Sequence, residues 1–135
     1  MFNNSIFDLI QFRTNAEVYD YQKENIYEPQ KVEIENAIRN EIVLYKNCIN
    51  DKEFPAHVIV QFVARTIYYL EHNRICSKGR GCELLYNVLN DEYVKKCQTI
   101  KMQDDYNEIA EQYPNRFEVA KKALDLLELR MKKAS

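Results

Sequence analysis

Arg65 and His72 stand seven positions apart in a segment whose apolar residues recur at helical spacing. On an α-helix that interval returns to the same stripe, at the edge of the apolar arc. An imidazole and a guanidinium placed together could act on a phosphodiester. The imidazole would serve as acid or base, and the guanidinium would stabilise charge on the phosphate. The bland reading is a salt bridge from Arg65 at the edge of the core, with His72 favoured by the dipole at a helix C-terminus. A second group competes for the same imidazole. His72, Cys76, Cys82 and Cys97 supply one His and three Cys. His72 and Cys76 are spaced i,i+4, which suits chelation from one helix face, and tetrahedral zinc accepts such ligands. The alternative keeps Cys76 and Cys97 as small buried apolar side chains and Cys82 as a partly exposed thiol. The third group lies in residues 109–128, where Arg116, Lys121 and Lys122 are candidate nucleic-acid contacts.

The Arg65–His72 spacing resembles the Arg-x4–6-His signature of HEPN-domain ribonucleases. The resemblance covers eight residues, with Thr66 where that family often has Asn or another polar residue. It implies an all-α domain that dimerises, so that Arg65 and His72 of two protomers converge on the scissile phosphate. Residues 109–128 resemble the helix-turn-helix of GntR-type repressors, through Ile109-Ala110-Glu111 and Ala123-Leu124-Asp125-Leu126-Leu127. Pro114 stands where that turn has Gly, and Asn115 where it has an apolar residue. This resemblance implies a DNA-binding regulator, with Arg116 and Glu118 at the base-reading end of the second helix.

Other chemistries find no footing. Gly79 and Gly81 follow no strand, so there is no nucleotide-binding glycine loop, and no cofactor is implied. Asp91-Glu92 and Asp104-Asp105 lack the EF-hand pattern and read as charge at helix N-termini. The net charge of −2 disfavours a general nucleic-acid coat or a polybasic membrane binder. Val58–Leu70, the most apolar segment, is interrupted by Gln61, Arg65 and Thr66, so no membrane span is expected. Met1–Phe12 carries no export-signal pattern, and four cysteines are then read as reduced thiols in a cytoplasm. Asn, Ile, Lys and Tyr make up 47 of the 135 residues, and their codons are AT-rich. That bias suggests a low-GC bacterium, its phage or a mobile element, hence a host-cell cytoplasm if viral.

The elements that must position these groups are all helices. With 135 residues, two glycines and three prolines, the chain reads as a single helical domain over residues 1–135. The predicted fold is all-α, a compact bundle of five to six mostly antiparallel helices without a sheet. Short helices are expected over Ser5–Arg13 and Asn15–Ile26. Pro29 opens a long helix with Ile34, Ile38, Ile42, Tyr45 and Ile49 on one stripe, closed by Asn50-Asp51. Pro55 opens the central helix, ending near Asn73. Both glycines fall in a loop before a helix over about Gly81–Gln98, which Asn90-Asp91 could interrupt. Asp104 or Asp105 caps a short helix to Gln112, and Pro114 begins the last, running to about Lys133. The expected core is Ile38, Ile42, Tyr45, Val58, Phe62, Val63, Leu70, Leu85, Val88, Leu124 and Leu127.

The last helix has two apolar stripes. Phe117, Ala120, Leu124, Leu127 and Met131 face the core. Val119, Leu126 and Leu129 form a second stripe that could meet a two-fold copy or another macromolecule, with Lys122 and Lys133 as its polar rim. The favoured expectation is a small non-enzymatic interaction protein with a protein partner, and a homodimer is within its range. The DNA-binding regulator and the HEPN-like ribonuclease are the alternatives.

Overall fold

The computed structural model describes residues 31–52, 54–101 and 103–134. The expected helices at Ser5–Arg13 and Asn15–Ile26, and Pro29, lie outside the described residues. Among the described residues six helices follow in order: α1 Lys31–Asp51, α2 Ala56–His72, α3 Lys78–Leu89, α4 Glu92–Lys96, α5 Tyr106–Gln112 and α6 Arg116–Ala134. No strand occurs among the described residues. The fold is an all-α bundle.

The boundaries have local causes. Pro55 precedes α2 with extended backbone, and Asn73 closes it in the left-handed region at φ 55°. Asn tolerates that conformation, and its N–H reaches Tyr69 O at 2.7 Å, satisfying a terminal carbonyl. The expected Gly81–Gln98 helix needs correction at both ends. It begins at Lys78, because the Ser77 hydroxyl accepts from the Arg80 N–H at 3.1 Å and caps the turn that carries both glycines. It stops at Leu89, because Asn90 is left-handed and Asp91 caps a new helix by accepting from the Tyr93 N–H at 2.9 Å. Asp105 caps α5 by accepting from Asn107 and Glu108.

α2 is the central helix. It packs most extensively on α6 and α3, while α1 lies against α6 and α2. Tyr45 meets Phe62, and Lys46 pairs with Glu128, so α1 runs antiparallel to both neighbours. α2 and α6 run parallel. Their C-terminal ends are joined by the Glu71–Arg130 ion pair, and their N-terminal ends meet where Ala56 and Phe117 line one cavity.

Most of the expected core is buried: Ile38, Ile42, Phe62, Val63, Leu85, Leu124 and Leu127. Tyr45 and Leu70 are half-buried against it. Val58 is only partly buried, and Val88 is 51% exposed, which corrects both expectations. The reason is arrangement. α3 rests on α2 and α4, whereas α6 rests on α1 and α2, so nothing described covers the side of α3 that faces α6.

Three polar side chains also lie in the interior: His57, Gln61 and Thr66. Gln61 ties α2 to the end of α4, donating from Nε2 to Cys97 O at 3.0 Å. Thr66 Oγ1 is enclosed without a hydrogen-bond partner among the described residues. Thr66→Val removes that desolvated hydroxyl while keeping the shape. It should raise unfolding stability by about 1 kcal/mol, read as a higher urea midpoint at unchanged slope. A loss of stability would show that the hydroxyl has a partner.

Candidate functional site: an apolar cleft between α3 and α6

The open side of α3 forms one wall of a cleft. Leu84 and Val88 project from α3, Ile67 and Tyr68 from α2, and Leu126 from α6. Gly81 lies at its floor, where the absence of a side chain lets α3 approach the backbone of α2. A Cβ there would stand 3.2 Å from both the Ala64 carbonyl carbon and the Arg65 nitrogen. The Glu71–Arg130 ion pair crosses one edge. The cleft is therefore apolar within and charged at its rim. Such a surface suits contact with apolar side chains.

The expected interface stripe on α6 divides. Leu126 lines the cleft, half-buried. Leu129 is 49% exposed. Val119 is 1% exposed and belongs to the core, since the N-terminal part of α6 is covered on that side as well. Its burial corrects the placement of Val119 on an outer surface.

Arg65 and His72 share a stripe of α2 but serve different neighbours. Arg65 Nε donates to Cys76 O at 3.0 Å, fastening the turn between α2 and α3 to the middle of α2. Burial pushes its guanidinium below the usual value. His72 is partly exposed, packs its ring 4.4 Å from that of Tyr68, and lies 3.9 Å from a Glu71 carboxylate oxygen.

The metal candidates separate too. Cys82 and Cys97 are fully buried, Cys76 is half-buried and His72 is exposed near the end of α2. Among the described residues no three His, Cys, Asp or Glu side chains come together closely enough to hold a metal ion. Burial pushes the Cys82 thiol up to about 12, and it raises Cys97 and Cys76 as well. Cys82 and Cys97 fill core space, Cys97 beside the Tyr93 hydroxyl.

Residues 109–128 span the end of α5, a three-residue turn and most of α6. Arg116, the candidate base reader, turns inward instead. Its Nη1 donates to Ala110 O at 3.3 Å and Tyr113 O at 3.4 Å, closing the C-terminus of α5, and its cation lies over the Phe117 ring. Lys121 and Lys122 are exposed, and exposed Glu118 and Asp125 on the same stretch of α6 offset their charge. Sequence pattern had no means of locating the cleft, because it arises from which helices fail to touch. The signal that existed was the second apolar stripe through Leu126.

No helix among the described residues is long and apolar enough to cross a membrane. Comparison with protein-family models, curated proteins and solved structures returns no match for this chain.

Proposed function

We propose that the protein is a small non-enzymatic interaction protein that docks a helix of a partner protein in the cleft between α3 and α6. The observation that carries this reading is Val88, a large apolar side chain left 51% exposed beside Leu84 and Leu126. An apolar trough between two helices suits the apolar face of an amphipathic helix, with the Glu71 and Arg130 charges selecting among partners at the rim. A cytoplasmic setting, in a phage or mobile-element context, accords with the composition.

The test uses Val88→Glu, which changes an exposed position and leaves the core intact. Wild-type chain and variant are used to capture partners from host lysate, with Lys121→Gln, on the outer face of α6, as control. A protein retained by wild type and by Lys121→Gln but lost with Val88→Glu supports the reading, and the expected loss is tenfold or more, or about 1.4 kcal/mol. Binding that survives Val88→Glu overturns it. A wild-type dimer that Val88→Glu converts to monomer would make the occupant a second copy of this chain. Salt-dependent retention of duplex DNA, lost in Lys121→Gln, would favour the regulator.

A further inference from the structure

The short helix α5 is fastened unequally at its two ends. At the C-terminal end, Arg116 Nη1 donates to Ala110 O and Tyr113 O, and the Tyr113 ring meets that of Tyr93 with centroids 5.2 Å apart. Midway, Ile109 is the side chain of α5 that is buried. At the N-terminal end, Tyr106 reaches across to the first turn of α2, where its ring centroid lies 4.6 Å from that of His57. None of the extensive helix-to-helix contacts among the described residues involves α5. The helix nonetheless forms part of the wall of a cavity of about 410 Å³, through Tyr106, Asn107 and Ala110, with Phe54, Ala56 and Phe117 among the other walls. We propose that α5 is a hinged strap on this cavity, latched by Tyr106 against neutral His57 and released when His57 takes up a proton.

The latch follows from where His57 sits. It is only 7% exposed, although it is an ionisable side chain. A neutral imidazole tolerates such enclosure, whereas an imidazolium loses its hydration there. Charges reach it from two neighbouring elements: Lys78 at the start of α3 and Asp104 just before α5. Lys52, Tyr93 and Arg116 line the cavity together with it. Burial opposes a cation on the ring most, Lys78 opposes it next, and Asp104 favours it less strongly. The enclosed imidazole is therefore held below its ordinary value of about 6.5.

The direction of the switch is then fixed. Lifting the N-terminal end of α5 uncovers the ring, which in water protonates at its ordinary value. Below about pH 6.5 the open form binds more protons than the closed form, so falling pH favours opening. Above that pH the ring is neutral in both forms and the latch holds at full strength. The fastenings at the other end of α5 involve no imidazole, so the helix pivots there and the cavity opens between α5 and the start of α2. This device lies apart from the cleft between α3 and α6 and does not depend on what docks there.

The experiment is amide hydrogen exchange on the full chain, labelled with nitrogen-15, at about pH 7.5 and about pH 5, with intrinsic rates divided out. A helix of seven residues frays once lifted from its support, so exchange at the Ile109 N–H, bonded to Asp105 O at 3.2 Å, reports the opening. In wild type its protection should fall about threefold or more at the lower pH, while the centres of α1 and α6 keep theirs. His57→Phe leaves an aromatic ring for Tyr106 but accepts no proton, so the Ile109 N–H should be equally protected at both pH values. Tyr106→Ala, at an exposed position, removes the latch and should give low protection at both. The His57 ring protons, followed by NMR against pH, should titrate with a midpoint below about 6.5. A midpoint at or above that value overturns the proposal. So does wild-type protection that is the same at both pH values, or a loss that persists in His57→Phe or spreads equally to α1 and α6. Should His57→Phe fail to fold, Tyr106→Ala decides: a strap as protected as in wild type rules out the latch.

Discussion

Leu124→Ala is expected to cost about 2–5 kcal/mol of unfolding stability, the largest loss of any single truncation proposed for this chain. Leu124 is fully buried in α6, on the face that packs against α2. Removing its side chain loses the transfer free energy of the deleted carbons. It also leaves a hole that two long helices held on both flanks cannot close. A domain of this size has about 5–15 kcal/mol of net stability in all, so the variant stands near the limit of folding. Urea unfolding should show a lower midpoint with an unchanged slope. Leu126→Ala, two positions on but half-buried in the cleft wall, should cost much less. If the two truncations cost the same, the face of α6 assigned to the core is wrong.

That contrast also marks how much of the fold was legible in the sequence. The helical stripe Ile34, Ile38, Ile42 named the buried face of α1. The wide apolar arc of Pro55–Asn73 identifies α2 as the central helix, and the expected end near Asn73 agrees with the C-cap there. Periodicity reports which face is apolar, and burial follows where a neighbour covers that face. It failed where the neighbour was absent. Val88 continues the apolar pattern of α3, but α6 lies along α2 and leaves it open. It failed again at the glycines, because glycine read as loop chemistry. Ser77 in fact caps a helix there, and neither glycine adopts positive φ.

Candidate sites were less legible, for a related reason. Arg65, His72 and the cysteines were singled out by residue type and spacing along one helix or loop. Side-chain direction then decided their partners: a carbonyl for Arg65, an aromatic ring for His72, core space for Cys82 and Cys97. Arg116 was read as facing outward, whereas the carbonyls at the end of α5 draw it in. His57 escaped notice altogether. It sits two positions after Pro55 among apolar neighbours, and Tyr106 at the start of α5 covers one face of its ring.

Gly81→Ala is expected to destabilise the domain by about 1–3 kcal/mol, against the ordinary preference of helices for alanine. Alanine in a helix interior is worth about 1 kcal/mol over glycine when the site is open. Here the added Cβ would meet backbone atoms of Ala64 and Arg65 at 3.2 Å, and backbone cannot rotate away as a side-chain tip can. α3 must lift from α2, loosening the packing of Cys82 and Leu85 and straining the Arg65–Cys76 hydrogen bond. Gly79→Ala provides the comparison, because its nearest neighbour is a single carbonyl oxygen, Gln98 O at 3.3 Å. It should cost less or nothing. Since Gly81 also forms the floor of the cleft, the same shift should widen the trough between Leu84 and Leu126 and weaken docking there. Gly81→Ala therefore couples stability to binding, whereas Val88→Glu should impair binding at nearly unchanged stability. A Gly81→Ala variant more stable than wild type would show that α2 and α3 are not in backbone contact, and the floor of the cleft would have to be redrawn.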